Sequence, residues 1–291
     1  RAWVFSRLPR LAYDTHKGER KHLAIVGGGK GMAGAAVLAT RAALRSGIGV
    51  VRTLVARQNT GALIGATPSA LVSEWPDDEN ATRRDIADWA DAVVIGPGLG
   101  QSKETRALVE RVLTASRCPA VLDADALNVF AGDATELRDL LAGRPALITP
   151  HAAEFARLAK TDVKTVLAER FDVGSSLAEA LGVTVLLKGA PTVIFSPDGA
   201  RLVSARGTAA LGTGGSGDLL AGIAGTLLAQ TNDASASAAC AAWVHGRAAE
   251  FCGYVRGTTL DDVLYALPRA WNEEELQPEP PVMTRLPAVP A

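Results

Sequence analysis

The chain of 291 residues is 48% apolar and 21% charged, enough to bury the core of one large α/β domain or two smaller ones. Thirty Lys and Arg balance 31 Asp and Glu with no basic block, so neither a nucleic-acid groove nor an anionic membrane surface is suggested, and a small-molecule partner is expected. Cys118, Cys240 and Cys252 lack C-x-x-C spacing, which argues against a disulfide framework or a thiolate zinc site and fits a reducing, cytoplasmic setting.

The first residue is Arg1, and residues 1–14 read as an interdomain lead-in, a start that either an upstream domain or processing of the chain would leave. No charged-then-apolar signal peptide opens the chain. A strand is expected over 22–26, then the stretch "VGGGKGMAGAAV" leads into a helix over 33–46. That stretch holds Gly29-x-Gly31-x-x-Gly34, the spacing of a dinucleotide-binding fingerprint. Such a fingerprint wants an acidic residue about 20 positions on to hold the ribose hydroxyls. The second strand, 49–55, leads instead to Arg52 and Arg57.

Further strands are expected over 91–95, 119–123, 145–149 and 183–188, followed by a hairpin of "TVIFS" and "RLVSA" around "PDG" at 197–199. Helices are expected over 103–115, 133–142, 163–181, 216–230, 234–252 and 259–266. This alternation predicts a doubly wound, mostly parallel sheet. The window "LLAGIAGTLLAQ" at 219–230 falls well short of the roughly 20 residues needed to cross a bilayer. Residues 271–291 form a Pro-rich tail, with five prolines in its last 14 positions, and are expected to be extended and mobile.

Four polar or glycine-rich clusters follow predicted strands: "GPGLG" at 96–100, "DADALN" at 123–128, "TPHAAE" at 149–154 and "KGAPT" at 188–192. In a parallel sheet the carboxyl ends share one edge, so the four converge on one crevice. Between the hairpin and the last helices lies "GTAALGTGGSGDLLAG", 207–222, where Gly212, Gly214, Gly215 and Gly217 precede an apolar helix and Asp218 sits in its first turn. Glycines and unpaired N–H groups at a helix start suit a phosphate. A carboxylate beside that phosphate is costly unless it works, the alternative being that Asp218 only caps the helix. In "DADALN" one Asp reads as a cap, and alternation after the strand makes Asp125 the better candidate to face the crevice. Trp75, Trp89 and Trp243 read as packing residues.

"GTGGSGDLLAG", together with "HKGE", "GMAGAAVLATRAALRSGIGVV", "GPGLG", "DADALN", "TPHAAE" and "LLKGAPTVI", resembles the ADP- or ATP-dependent NAD(P)H-hydrate dehydratases, in order from about Thr15 to Leu267. The resemblance implies a ribokinase-like three-layer α/β/α sandwich over residues 15–270. It also implies repair of hydrated NADH and NADPH by phosphorylation of the hydrate hydroxyl and loss of phosphate. On that basis Asp218 is the catalytic base, and the N–H groups of Gly215, Ser216 and Gly217 steady the phosphoryl group. Ala35, Gly100, Asp125, Asn128, His151 and Asp218 contact the hydrate. Lys188, Gly189, Ala190, Pro191, Thr192 and Gly217 seat the ADP or ATP. Glu154 stands where related kinases use an acid to hold Mg2+ through water, although the dipole of a helix starting at Pro150 would favour a carboxylate there in any case. The glycine fingerprint then lines the pocket for a dinucleotide bound as substrate. This chain has "HAAE" where the family commonly has "HPGE", and Ser69 where it often has an acid. The resemblance further implies a homo-oligomer, a tetramer, functionally coupled to an NAD(P)H-hydrate epimerase. The rival readings are a ribokinase-like kinase of a small alcohol or vitamin precursor, and a nucleotide-sensing scaffold without turnover.

Overall fold

The structure, a computed structural model, describes residues 1–9, 18–271 and 283–286. The expected boundary at 14/15 and most of the Pro-rich tail lie outside the described residues. The ten strands are β1 (His22–Val26), β2 (Val50–Val55), β3 (Leu71–Glu74), β4 (Ala92–Ile95), β5 (Ala120–Leu122), β6 (Ala146–Ile148), β7 (Thr184–Leu187), β8 (Thr192–Phe195), β9 (Arg201–Ser204) and β10 (Met283–Leu286). They form one sheet in the order β10-β9-β8-β7-β6-β5-β4-β1-β2-β3. β1 to β7 run parallel and β8 to β10 are added antiparallel.

Successive strand residues point to opposite faces, and both faces are apolar. Leu23, Ile25, Val94, Val121, Leu147 and Leu186 join one core cluster, while Ala24, Val26, Val93, Ile95, Leu122 and Val185 join the other. Helices cover both faces, which gives three layers. The helix Ser216–Thr231 carries apolar residues all round and buries twelve of its sixteen positions. Glycine costs about 1 kcal/mol relative to alanine inside a helix, yet Gly222 and Gly225 sit where a Cβ would lie 2.1 Å from Ala39 O and 2.3 Å from Val94 Cγ2. These two residues let the helix lie directly on its neighbours, so its N-terminus is held in a fixed place at the sheet's carboxyl edge.

Three differences from the sequence reading have local causes. The helix expected over 163–181 is two, Val163–Ala168 and Gly174–Leu181. The break allows Arg170 to turn inward and Gly174 to pass against the Phe195 ring, where a Cβ would be 2.2 Å from Cδ2. β3 was not anticipated, because as an edge strand with a largely solvated surface it lacks an alternating apolar signal. Ala2–Arg7, inside the expected lead-in, is a helix whose Val4 is fully buried, with the Phe5 ring edge-on to Trp243 at 5.5 Å. The three cysteines are free, and no helix among the described residues is long and apolar enough to cross a membrane.

Candidate active site

A cavity of about 1020 Å³ opens at the carboxyl edge of the sheet. Its wall includes Asp123, His151, Glu154, Lys188 to Thr192, and Gly212 to Asp218. Asp123 and Lys188, 65 positions apart, therefore meet because β5, β6 and β7 end side by side.

Gly215 precedes the helix Ser216–Thr231 with φ of 97°, a left-handed conformation that glycine adopts without strain. The Ser216 N–H donates to Thr213 O at 3.2 Å. Those of Gly215, Gly217 and Asp218 have no acceptor among the described residues. The donors available to a phosphoryl group at this helix end are thus Gly215, Gly217 and Asp218, with Ser216 engaged in shaping the turn. Asp218 is the third residue of the helix, and its carboxylate makes no capping bond. Burial first, and the like charge of Asp123 second, raise its pKa to about 7 against the pull of Lys188. A carboxylate in this state is poised to take up a proton near neutral pH.

Asp123 is the anchor of the floor and was underrated from sequence. It is 1% exposed, and its Oδ1 accepts from Thr149 Oγ1 at 2.7 Å and from Lys188 Nζ at 2.7 Å. Lys188 Nζ also lies 3.7 Å from Glu154 Oε2. Burial alone would lower the lysine's pKa, but Asp123 and Glu154 outweigh it and keep the ammonium charged. The strand alternation that favoured Asp125 fails at Ala124, whose φ of 50° turns the chain between the two acids. Asp125 then accepts from the Gly100 N–H at 2.8 Å and Gln101 Nε2 at 3.1 Å.

Glu154 and His151 form a reciprocal cap on the helix Ala152–Ala159. His151 Nδ1 accepts from the N–H groups of Ala153 (3.1 Å) and Glu154 (3.3 Å), while Glu154 Oε2 accepts from the His151 N–H at 2.8 Å. Burial holds the His151 pKa below its usual value. The cap is complete with Ala152 and Ala153 between its two members.

The residues expected to hold the hydrate fall into two groups. His151 and Asp218 face the cavity. Gly100 and Asp125 are joined by their hydrogen bond, and Ala35 packs beside Gly98, where a glycine Cβ would be 2.8 Å from Ala35 Cβ. Asn128 ends the short helix Asp125–Asn128 that Asp125 begins, its Oδ1 accepting from Arg157 Nε at 3.1 Å and Nη2 at 2.7 Å. Sequence reasoning also missed His245 in the cavity wall. It is nearly buried, its Nε2 has no hydrogen-bond partner, and burial lowers its pKa to about 4, so it is neutral. Nothing in the apolar helix around it signalled a site residue.

The geometry can be set beside known proteins. The NAD(P)H-hydrate dehydratase pattern matches residues 23–268. The chain belongs to that family. It is 42% identical over 247 residues to the ADP-dependent (S)-NAD(P)H-hydrate dehydratase of Neisseria meningitidis, covering 82% of this chain and 79% of that one. It is 37% identical over 290 residues to the bifunctional NAD(P)H-hydrate repair enzyme Nnr of Moorella thermoacetica, covering 95% of this chain and 54% of that one, so it spans about half the length of that relative. Among solved structures, the ADP/ATP-dependent NAD(P)H-hydrate dehydratase of Bacillus subtilis, co-crystallised with ATP and Mg2+, superposes with a TM-score of 0.80 at 29% identity, over 94% of this chain and 96% of that one. The fold is ribokinase-like, and the small-alcohol kinase reading is not favoured for a family of dehydratases.

Proposed function

We propose that the chain restores NADH and NADPH from their hydrates, with ADP or ATP supplying a phosphoryl group. The observation that carries this reading is Asp218, a half-buried carboxyl with a pKa of about 7 directly after the unpaired N–H groups of Gly215 and Gly217. In this reading the hydrate hydroxyl attacks the terminal phosphorus of the nucleotide as Asp218 takes its proton, and the terminal P–O bond breaks to release AMP from ADP or ADP from ATP. Gly215, Gly217 and the Asp218 backbone hold the phosphoryl oxygens, and Lys188 balances their charge. The phosphate ester then loses phosphate and a proton, and the ring double bond returns. Lys188 to Thr192 seat the nucleotide, with Gly217. His151, Asp125, Gly100 and Ala35 lie on the hydrate side.

Among the described residues no group of three or more His, Cys, Asp or Glu is arranged to cage a metal. Mg2+ commonly keeps its waters and binds through phosphates and one or two carboxylates. Glu154, buried in the cavity wall beside Lys188, fits such a role through water. When bound, Mg2+ would neutralise phosphate charge. We further infer that the catalytic unit is residues 15–270, that it works in the cytoplasm as a homo-oligomer, a tetramer by family likeness, and that it is coupled to an epimerase acting on the same hydrates. Light scattering tests the assembly.

The direct test is to incubate the protein with hydrated NADH, Mg2+ and either ADP or ATP and to follow the return of NADH absorbance. Return with either nucleotide, and none without one, is the expected result. A stable phosphorylated product without NADH would overturn the lyase reading.

A further inference from the structure

The segment 188–192 lines the cavity through backbone as much as through side chains, and its peptide groups are fixed from behind. Arg170 comes from the break between the helices Val163–Ala168 and Gly174–Leu181 and is 9% exposed. Its Nη1 donates to Lys188 O at 3.3 Å and to Pro191 O at 3.0 Å, so it ties both ends of the loop. The guanidinium lies flat against Gly189, where a Cβ would be 2.2 Å from Nη1 and 2.6 Å from Cζ. Gly189 O is held separately by Thr192 Oγ1 at 3.0 Å.

These bonds determine which side of the loop faces the cavity. In a trans peptide the C=O and the following N–H point in opposite directions. With Lys188 O directed at Arg170, the Gly189 N–H is directed away from it, toward the side on which Gly189 lines the cavity and Arg170 does not. The N–H groups of Gly189 and Ala190 have no acceptor among the described residues. Were the peptide between Lys188 and Gly189 to flip, a carbonyl dipole would face the anionic ligand instead.

Arg170 also has no carboxylate partner among the described residues, and burial lowers its pKa. A part-buried cation whose bonds are to loop carbonyls is an expensive way to close a loop. It is a fitting way to hold carbonyls back from a phosphate site, because a charged donor grips a carbonyl more firmly than a neutral one.

We propose that Arg170 is a positioning residue for the nucleotide: it holds the Lys188 and Pro191 carbonyls away from the cavity so that the Gly189 N–H is presented to the phosphates. This rests on the reading that 188–192 seats ADP or ATP. The test uses the full chain with Arg170→Met, Arg170→Lys and, as a reference, Lys188→Ala, each assayed for KM toward nucleotide and hydrate, for kcat and for Tm. Loss of a charge-assisted hydrogen-bonded clamp should raise the nucleotide KM about tenfold in Arg170→Met. Hydrate KM and saturating kcat should stay within about twofold. Arg170→Lys, which keeps a charged donor, should recover about half of that effect on a logarithmic scale. If Arg170→Met does not fold, the Lys variant alone still reads the nucleotide KM. A merely structural arginine would lower Tm and the active fraction with nucleotide KM unchanged, which would overturn the clamp. Unchanged nucleotide KM in the Arg170 variants with an impaired Lys188→Ala would overturn the clamp alone. No change in any of the three would remove the nucleotide assignment of the segment as well.

Discussion

The chain carries two glycine-rich loops ahead of helices, Gly27 to Gly34 and Gly212 to Gly217, and they use their glycines in opposite ways. In the first, the N–H groups of Gly27, Gly28 and Gly29 donate to Leu54 O, Pro97 O and Gly98 O. The carbonyls are taken as well: Trp75 Nε1 donates to Gly27 O at 2.8 Å, and Asn59 Nδ2 to Gly28 O and Gly29 O at 2.9 and 2.7 Å. A Cβ on Gly29 would lie 2.4 Å from Leu99 O. Gly27 to Gly29 are packed backbone to backbone against 97–99 and keep no spare donor for a pyrophosphate. The second loop leaves the N–H groups of Gly215 and Gly217 unpaired at the cavity wall. Glycine spacing is therefore a poor guide to phosphate binding, and the occupancy of the glycine N–H groups is the informative quantity.

The largest effect expected from this contrast is at the second loop's carboxylate. Asp218→Asn keeps the shape and removes the base, so turnover should fall by on the order of 10² to 10⁴. Stabilisation of the fold by ADP or ATP should survive, as thermal shift would show. Turnover close to normal would take Asp218 out of the mechanism and leave the second loop with no more chemistry than the first.

Glycine replacements test the two loops against each other. A Cβ on Gly217 would stand 3.3 Å from Lys188 Nζ and 3.6 Å from Asp123 Oδ2, on the cavity floor. Gly217→Val should lower turnover by about ten- to a hundredfold with little change in Tm, since it blocks space meant for ligand. Gly29→Ala meets backbone that cannot yield, so it should lower Tm by on the order of 5 °C while the folded fraction keeps its nucleotide KM. The opposite pattern, a KM effect at Gly29 and a Tm effect at Gly217, would reverse the assignment of the loops.

The pH dependence sharpens the account of the second loop. Asp218 must be ionised to act as a base, so kcat/KM should fall as pH drops below about 7. Its pKa is raised in the folded state, so between the ordinary carboxylate value and about 7 the folded chain holds a proton that the unfolded chain lacks. Stability from this group is present at low pH and is lost as pH rises through about 7. Asp218→Asn should accordingly gain Tm over the parent near pH 8 and gain little near pH 5. Asp123→Asn removes a like charge and leaves Lys188 in place, so the acid limb should move down by about one pH unit. An unmoved limb would mean that burial alone sets the Asp218 pKa.

Most of the sheet was legible because parallel strands buried on both faces, such as "DAVVI" and "VTVLLK", give strong apolar runs. The convergence of the strand-end clusters followed from topology alone. What stayed hidden depends on single backbone angles and long-range partners. The positive φ at Ala124 brought Asp123 to Lys188, and no pattern in "DADALN" announces it. Arg170 and His245 lie in or beside helical stretches that read as packing, and their importance comes from the loop and the cavity they meet. The Ser216 N–H was expected to face the phosphate, whereas the turn before the helix engages it with Thr213. Trp75, read as packing, also holds Gly27 O through its indole N–H.

The smallest effect expected is on the hydrate side, where the first loop still has a part to play through its helix. Ala35 is half-buried at the start of the helix Ala33–Arg45 and abuts Gly98, whose φ of 59° and tight surroundings prevent the 97–100 loop from yielding. In the proposed placement of the hydrate beside Ala35, a larger side chain there takes up ligand space. Ala35→Leu should raise the hydrate KM several-fold, about 1 kcal/mol of binding, with the nucleotide KM and kcat little changed, because Lys188 to Thr192, the segment proposed to seat the nucleotide, line the cavity wall and Ala35 does not. NADH should compete with the hydrate in the parent and compete less well in the variant. If both affinities fell equally while Tm held, the first loop would hold the nucleotide after all, and the contrast between the two loops would fail; an equal fall together with a lower Tm would instead mean that the introduced leucine side chain had displaced the 97–100 loop.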